Sequence, residues 1–388
     1  MSVLEEEQTW YEEDISDDDS EYLLKEYEII SSPNDFNIKT IFDFISSGVV
    51  IIPGFQRHYV WDINRASRLI ESIIIGLPIP QIFLYEQERN KFLVIDGQQR
   101  LMSIYFFMTK RFPKQDKRVE LRQIFNERGK IPENIFYDDT YFTSFDLKLP
   151  DKENALNGLN YATLEEHKIA FELRTIRNVI LKQTNPDNEN TSIYEIYNRL
   201  NSGGINLKPQ EIRASLYESD FYKMLYRVNL LPKWREILGL SEPDINMRDI
   251  EFILRGFALL LEDNKYKPSM ARFLDSFSKN CRNLSEENIL YLEKLFVSFL
   301  ESCSELDKKA FWGKTGKFNI SIFESVFRTM GLPVYKSRSL ISRKINGSQL
   351  EALKTDTDFI GATLKKTTSK SNVQIRLNKA EELLSQTV

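Results

Sequence analysis

The sequence predicts an α+β domain followed by a predominantly α-helical domain. Between residues 28 and 108, strand-forming runs alternate with segments whose apolar residues recur at the helical spacing. Beyond Lys208 the helical pattern continues almost without interruption, and no repeat of solenoid type is evident. A chain of 388 residues is long enough for two or three domains. We therefore expect a tail (1–27), an α+β domain (28–217) with an insertion over about 110–160, and a helical domain (218–388).

Capping residues and alternating patterns define the first domain. Asp62 suits the N-cap of a helix that Gly76 and Pro78 end, and two β-rich runs, 81–86 and 91–95, flank a polar turn and predict a hairpin. Two helices packed on a small mixed sheet suit an α+β domain. The other expected elements are a short strand from about Glu28, a helix over 38–47 ended by Gly48, a strand over 49–53, a helix after Gly97 with Leu101, Ile104, Tyr105 and Met108 inward, a strand over 174–181 and a helix over 193–200.

Helical periodicity alone predicts the structure beyond Lys208. The expected helices cover 212–217, 221–228, 234–238, 249–261, 270–280, 286–302 and 318–330. Cys281 and Cys303 are the only cysteines, and their spacing is not that of a metal site. We expect both to be reduced core residues, and we expect no metal site from cysteine or histidine.

Composition and hydropathy predict a cytoplasmic protein with no membrane partner. Hydrophobic residues make up 41% of the chain and charged residues 28%, which is typical of a soluble protein. The chain contains no run of eighteen apolar residues, and its N-terminus is acidic where a signal peptide is basic.

The net charge of −5 conceals an asymmetry along the chain. Residues 1–21 hold ten of the 57 acidic side chains and none of the 52 basic ones, so the remaining residues carry a net charge of about +5. A polyacidic segment is usually a solvated, disordered tail. The alternative is a mimic of nucleic-acid charge that covers a basic surface, with Trp10, Tyr11 and Tyr22 as its anchors.

The segment from Val94 to Ile104 reads V-I-D-G-Q-Q-R-L-M-S-I, which predicts a strand, a turn and a helix. A helix N-terminus favours anions, because its first backbone N–H groups have no partner within the helix. Gly97 allows a phosphate to approach, the amides of Gln98 and Gln99 donate hydrogen bonds, and Arg100 pairs with phosphate oxygens. The alternative is purely structural, with Asp96 as the N-cap and Arg100 as a surface charge.

Two further segments accompany this motif. The chain reads I-P-G-F-Q-R-H-Y-V-W over residues 52–61 and Y-N-R-L-N-S-G-G-I-N-L-K-P-Q-E-I-R over residues 197–213. With the Asp-Gly-Gln-Gln-Arg motif between them, they resemble the N-terminal domain of GmrSD-type, type IV restriction endonucleases, over roughly residues 36–217. The resemblance implies a ParB/sulfiredoxin-like fold. Tyr59 and Trp61 in the first segment are expected to stack on a base or to fill the core, and the core is favoured for Trp61.

The resemblance also implies a nucleotide site. Its ligand is a nucleoside triphosphate, with GTP, ATP and CTP left open, and Mg²⁺ is held through water by Asp96. A cap role for Asp96 and a structural turn after Asn198 and Arg199 remain alternatives. The implied catalytic residues are Asp96, Gln98, Gln99 and Arg100, and the implied binding residues are Gln56, Arg57, Gly97, Asn198 and Arg199.

The expected function is that of a prokaryotic or phage-related defence protein that hydrolyses the triphosphate and engages DNA. A partner nuclease or another defence subunit would supply any cleavage. The alternative is a non-catalytic DNA- or protein-binding regulatory module with a vestigial or sensory pocket. A third possibility is phosphotransfer to a protein residue, as in sulfiredoxin-like enzymes.

Many members of this family carry an HNH nuclease domain, whose chemistry needs histidine. This sequence contains only His58 and His167, so we expect no HNH site after residue 167.

If the purified protein cuts DNA, we expect His58→Ala and His167→Ala to retain cleavage, because neither histidine belongs to a recognisable catalytic set. A nuclease assay on both variants checks this. Loss of cleavage in either variant, with the circular dichroism spectrum unchanged, would contradict it.

Overall fold

The computed structural model describes residues 9–12, 28–52, 59–118, 120–121, 124, 131–185, 192–200, 208–244 and 246–385. The chain divides into two compact units. The first, called here the sheet unit, is Leu24–Leu216. The second, the helical unit, combines Tyr217–Val388 with Met1–Leu23.

The sheet unit is a mixed α and β structure, in agreement with the predicted α+β class. Its five-stranded sheet has the order β1-β7-β3-β4-β2, and β5 and β6 form a separate antiparallel pair. In the larger sheet β1–β7 and β3–β4 are antiparallel pairs, whereas β3–β7 and β2–β4 are parallel. The strands are β1 (Glu28–Asn37), β2 (Val50–Ile51), β3 (Ile82–Glu88), β4 (Lys91–Asp96), β5 (Arg111–Pro113), β6 (Phe142–Ser144) and β7 (Thr175–Asn185).

The described helices of this unit begin and end close to the predicted positions. Asp62 caps α2 by accepting a hydrogen bond from the backbone N–H of Arg65 at 2.7 Å, and Gly76 ends the helix in a left-handed conformation. The residues of α2 whose helical spacing predicts an apolar face are buried, namely Ala66, Leu69, Ile70, Ile73 and Ile74. The helices are α1 (Ile38–Ser46), α2 (Ile63–Ile75), α3 (Gln98–Met108), α4 (Glu133–Phe136), α5 (His167–Leu173), α6 (Ser192–Leu200) and α7 (Pro209–Leu216).

Helix α3 is buried on more sides than the sequence indicated. Leu101, Ile104 and Met108 are buried as predicted, whereas Tyr105 is only half-buried. Phe107 is also buried, because the segment expected as an insertion packs against α3, with the Phe107 and Phe145 rings 5.4 Å apart. The insertion therefore contributes to the core that fixes α3.

Helices lie at each position that the periodicity predicted beyond Lys208, the first of them as α7 of the sheet unit and the others in the helical unit. Two buried cysteines, Cys281 and Cys303, are free thiols as expected, and burial raises the pKa of Cys303 to about 12. The sequence did not predict the last three helices. The helices are α8 (Asp220–Asn229), α9 (Pro232–Leu238), α10 (Arg248–Glu262), α11 (Met270–Cys281), α12 (Glu286–Ser302), α13 (Ile320–Lys336), α14 (Gly347–Thr355), α15 (Thr357–Leu364) and α16 (Lys370–Leu384).

Residues 9–12 belong to this helical unit, although the sequence placed them in a disordered tail. The backbone of Trp10 and Glu12 hydrogen-bonds to Phe318, and the Trp10 ring lies 5.4 Å from that of Phe252. The expectation of disorder is therefore wrong for these four residues, because two aromatic side chains find an apolar surface. Tyr22 lies outside the described residues. Within the described ranges, the helices fall short of the length and hydropathy that crossing a bilayer needs.

Three buried charged residues join α10, α13 and α16. Glu324 accepts hydrogen bonds from Arg255 at 3.0 Å and from Arg376 at 2.8 Å, and all three side chains are at most 2% exposed. Arg376 also donates to the backbone oxygens of Ala362 and Thr367. Such a cluster is costly to break, since removing one partner leaves a buried charge uncompensated.

We expect Glu324→Gln to lower the free energy of unfolding of the helical unit by about 3–5 kcal/mol. Lys223→Gln is the matched control, because it removes an exposed ion pair with Asp220 and should cost less than about 1 kcal/mol. Urea unfolding of both variants measures the difference. Equal losses of unfolding free energy would show that breaking the buried cluster costs no more than breaking an exposed ion pair.

Candidate functional site

The junction between β4 and α3 is shaped by Gly97. Its φ of +97° lies in the left-handed region, and a Cβ at this position would be 2.4 Å from Cγ2 of Ile82. Glycine is therefore required here by both backbone conformation and packing. This structural requirement explains the residue without a ligand, whereas the sequence interpretation assigned Gly97 to phosphate approach.

Asp96 and Arg100 form an ion pair across this turn. Nη2 of Arg100 donates to Oδ2 of Asp96 at 3.0 Å and to the backbone oxygen of Gln81 at 3.2 Å. The Arg100 side chain is 12% exposed and that of Asp96 38% exposed. The structural alternative is thus wrong in both parts, because Asp96 ends β4 rather than capping α3 and Arg100 is mostly buried.

The N-terminus of α3 has no side-chain cap. Gly97 occupies the N-cap position, and the first hydrogen bond that closes a turn runs from the N–H of Leu101 to the oxygen of Gly97. The backbone N–H groups of Gln98 and Arg100 precede that bond. An uncapped helix start beside an arginine is a site that attracts anionic oxygen atoms.

Gln99 joins the first motif to the second. Its side-chain oxygen accepts hydrogen bonds from the backbone N–H of Val60 at 3.0 Å and of Trp61 at 3.4 Å. This contact is structural, and the sequence did not predict it.

The two aromatic residues of the first motif belong to the core. The Tyr59 hydroxyl bonds to that of Ser103 at 2.9 Å, and burial raises the pKa of Tyr59 well above its usual range. Trp61 is half-buried, with the guanidinium of Arg65 4.5 Å from its ring centroid. The core interpretation is therefore confirmed for Tyr59, whereas Trp61 packs against that core and stays partly exposed. Gln56, Arg57 and His58 lie outside the described residues, so their predicted roles have no structural account.

The third motif meets the second through Tyr197 of α6. The Tyr197 hydroxyl donates to the backbone oxygen of Val94 in β4, and it also bonds to the side chain of Gln98. Burial raises the pKa of this tyrosine well above its usual range. Arg199 is exposed on the same helix, whereas the side chain of Asn198 lies outside the described residues.

Helix α7 adds two buried charges that the sequence interpretation missed. Glu211 accepts a hydrogen bond from the backbone N–H of Lys208 at 2.8 Å, as in a helix capping box, and its charge acts on Tyr197. Arg213 is 1% exposed and donates to the side chain of Gln210 at 2.6 Å. Both residues stand in the Lys-Pro-Gln-Glu-Ile-Arg run that ends the third motif. That position was the sequence signal from which they could have been identified. In the part of the chain that the structure describes, no group of three or more His, Cys, Asp or Glu side chains is placed to hold a metal ion.

Gly97→Ala should destabilise the sheet unit more than Gly48→Ala does. Both glycines have a positive φ, which costs an alanine about 1–2 kcal/mol. Only at Gly97 would the added Cβ meet another side chain, because no atom lies within 4 Å of the Cβ position at Gly48. The clash with Ile82 should add about 1–3 kcal/mol, measured by urea unfolding. Equal losses in the two variants would contradict the packing argument.

Comparison with known proteins gives one match. The family model described as GmrSD restriction endonuclease, N-terminal domain, matches residues 38–218, just under half of the chain. No curated protein and no solved structure matches. The match contains the β4–α3 junction and Tyr197, which the described site brings together. The segment from residue 38 to residue 218 is thus similar to the GmrSD restriction endonuclease N-terminal domain, the family that the three motifs predicted.

Proposed function

We propose that this chain is a restriction-type defence protein, of prokaryotic or phage-related origin, whose sheet unit binds a nucleoside triphosphate at the β4–α3 junction. The family match supports the general class of protein. The more specific proposals are a ParB/sulfiredoxin-like fold, binding of GTP, ATP or CTP, and engagement of DNA. A partner nuclease or another defence subunit is the proposed source of cleavage.

The observation that carries the nucleotide proposal is how Arg100 is held. Both of its hydrogen bonds among the described residues use Nη2, so that nitrogen orients the side chain toward Asp96 and Gln81. A guanidinium group carries five N–H donors. In the described part of the site, the donors on Nε and Nη1 are available to a ligand. A fixed arginine loses less entropy when it binds phosphate than a mobile one does.

The charge balance favours an anion with several oxygen atoms. The uncapped start of α3 supplies backbone N–H donors and a positive dipole end, and Arg100 stands one turn into the helix. Asp96 neutralises part of the arginine charge through one carboxylate oxygen. Its other oxygen is suited to accept a water ligand of Mg²⁺, which would supply charge neutralisation for the phosphates when it is bound.

Hydrolysis places different demands on the same residues. Arg100 would stabilise charge that develops on the transferred phosphoryl group, and the amide of Gln98, held by Tyr197, would orient the phosphate or the attacking water. Gln99 is a weaker candidate than the sequence indicated, since its side-chain oxygen binds the backbone at Val60 and Trp61. That observation favours the second candidate function, a regulatory module that binds nucleotide without turnover.

Arg100→Ala should weaken triphosphate binding by about 1–3 kcal/mol, or about 5- to 150-fold, which is the usual worth of a hydrogen bond to a charged group. Arg177→Ala is the matched control, because Arg177 is an exposed arginine of the same unit that pairs with Asp35. Thermal shifts with added GTP, ATP or CTP and Mg²⁺ measure the loss, and phosphate release distinguishes turnover from binding. Equal nucleotide-induced stabilisation of wild type and Arg100→Ala would reject the assignment.

A further inference from the structure

Residues 10–12 add a short strand to a hairpin of the helical unit. The hairpin, residues 311–319, is closed by a bridge between Trp312 and Phe318. Tyr11 pairs with Phe318 in parallel, and the backbone hydrogen bonds on either side measure 3.1 Å and 2.9 Å. Strand addition of this kind is a common way for a protein to bind a peptide segment.

The side chains of this strand fit a prepared surface. Trp10 packs against Phe252 and donates from Nε1 to a carboxylate oxygen of Asp244 at 3.0 Å. Asp244 is itself held in place, because its other carboxylate oxygen accepts from the backbone N–H of Arg248. The guanidinium of Arg248 lies 5.7 Å from the ring centroid of Tyr11. Two aromatic anchors are thus fixed at specific positions on α10 and the turn before it.

Glu12 occupies a position that suits a carboxylate. Its side chain accepts hydrogen bonds from the hydroxyl of Thr315 at 2.5 Å and from the amide of Asn319. A Cβ on Gly313 would lie 2.1 Å from Oε1 of Glu12, so the glycine leaves the space that the carboxylate fills. The hairpin therefore recognises an acidic residue directly after the aromatic pair.

The same hairpin is basic. It holds Lys314 and Lys317 and no acidic residue, and Lys308 and Lys309 precede it in the sequence. Lys314 and Lys317 line a cavity of about 480 Å³ together with Lys354, and Glu12 is the one acidic residue among its described lining residues. The positive excess of the chain also lies in this half, since residues 217–388 contain 27 basic and 22 acidic side chains, against 25 of each in residues 22–216.

We propose that residues 10–12 anchor the acidic N-terminal segment on this lysine-rich hairpin, where the segment competes with the phosphate backbone of nucleic acid. The sequence places Glu13 and Asp14 directly after the anchor and Glu5 to Glu7 shortly before it. Consecutive Cα atoms are about 3.8 Å apart, so the length of chain between the anchor and the nearest of these carboxylates is short enough for them to reach the hairpin lysines. The proposal rests on the proposed engagement of DNA and names the surface that receives it.

The test compares DNA binding by full-length variants across a salt series, using fluorescence anisotropy with labelled single- and double-stranded DNA. Trp10→Ala/Tyr11→Ala removes the anchor, and Tyr137→Ala, which removes an exposed aromatic residue of the sheet unit, is the control. We expect the anchor variant to bind about tenfold more tightly at low salt, with a steeper salt dependence, because more phosphate contacts then release counterions. Adding Lys314→Gln and Lys317→Gln should abolish that gain.

Two outcomes would overturn the proposal. The first is that titrations of wild type and anchor variant superimpose above about 0.15 M salt, where the screening length is about 8 Å and only direct competition persists. The second is that the gain survives the two lysine substitutions. Circular dichroism and thermal unfolding of each variant exclude misfolding, and Gly313→Ala, which displaces the Glu12 carboxylate, provides a second way to weaken the anchor.

A peptide experiment separates failure of the anchor from failure of DNA engagement. A fluorescein-labelled peptide of residues 1–23 should bind the anchor variant, whose site is vacated, more tightly than it binds wild type. Binding of the peptide without binding of DNA to any variant would reject DNA engagement and, with it, the competition. Equal or absent peptide binding to both proteins would reject the anchor itself.

Discussion

The left-handed turn at Gly97 is the constraint on which the described site depends. Ile82 fills the space that any other side chain would need, so the strand β4 passes into α3 at one fixed angle. That angle brings Asp96 and Arg100 onto the same side of the turn and leaves the helix start without a side-chain cap. A turn that packing requires thereby leaves the N-terminus of α3 as a site that attracts anions.

Polar contacts connect the three motifs to that turn. Gln99 binds the backbone of the first motif, and Tyr197 of the third motif binds both β4 and Gln98. The contact of Tyr197 with Val94 is buried, so losing that partner costs more than the bond itself contributes. The motifs therefore act as one assembly, and a substitution in any of them is expected to disturb the others. This coupling gives a physical reason for their occurrence together in one domain family.

Polar groups organise the helical unit in a similar way. Glu324 joins three helices through two arginines, and Asp244 links the start of α10 to the indole of Trp10. The first network is sealed from solvent, whereas the second ends at a segment whose described contacts with the unit come from residues 9–12. A segment bound by so small a contact is displaced more easily than a core helix, as competition at this surface requires.

The sequence by itself determined most of the local structure, the charge distribution and the three motifs that resemble a family. Caps such as Asp62 and Gly76 act on neighbouring residues, so the sequence alone predicts them. The three motifs are likewise recognisable from the sequence. Only the tertiary structure decided that Asp96 pairs with Arg100 instead of capping α3, that Gln99 binds the first motif, and that Trp10 docks on Phe252. The physical reason is that each of these outcomes depends on which groups packing brings within hydrogen-bond distance or ring contact. Residues that are far apart in the chain form no local sequence pattern from which such a contact can be predicted.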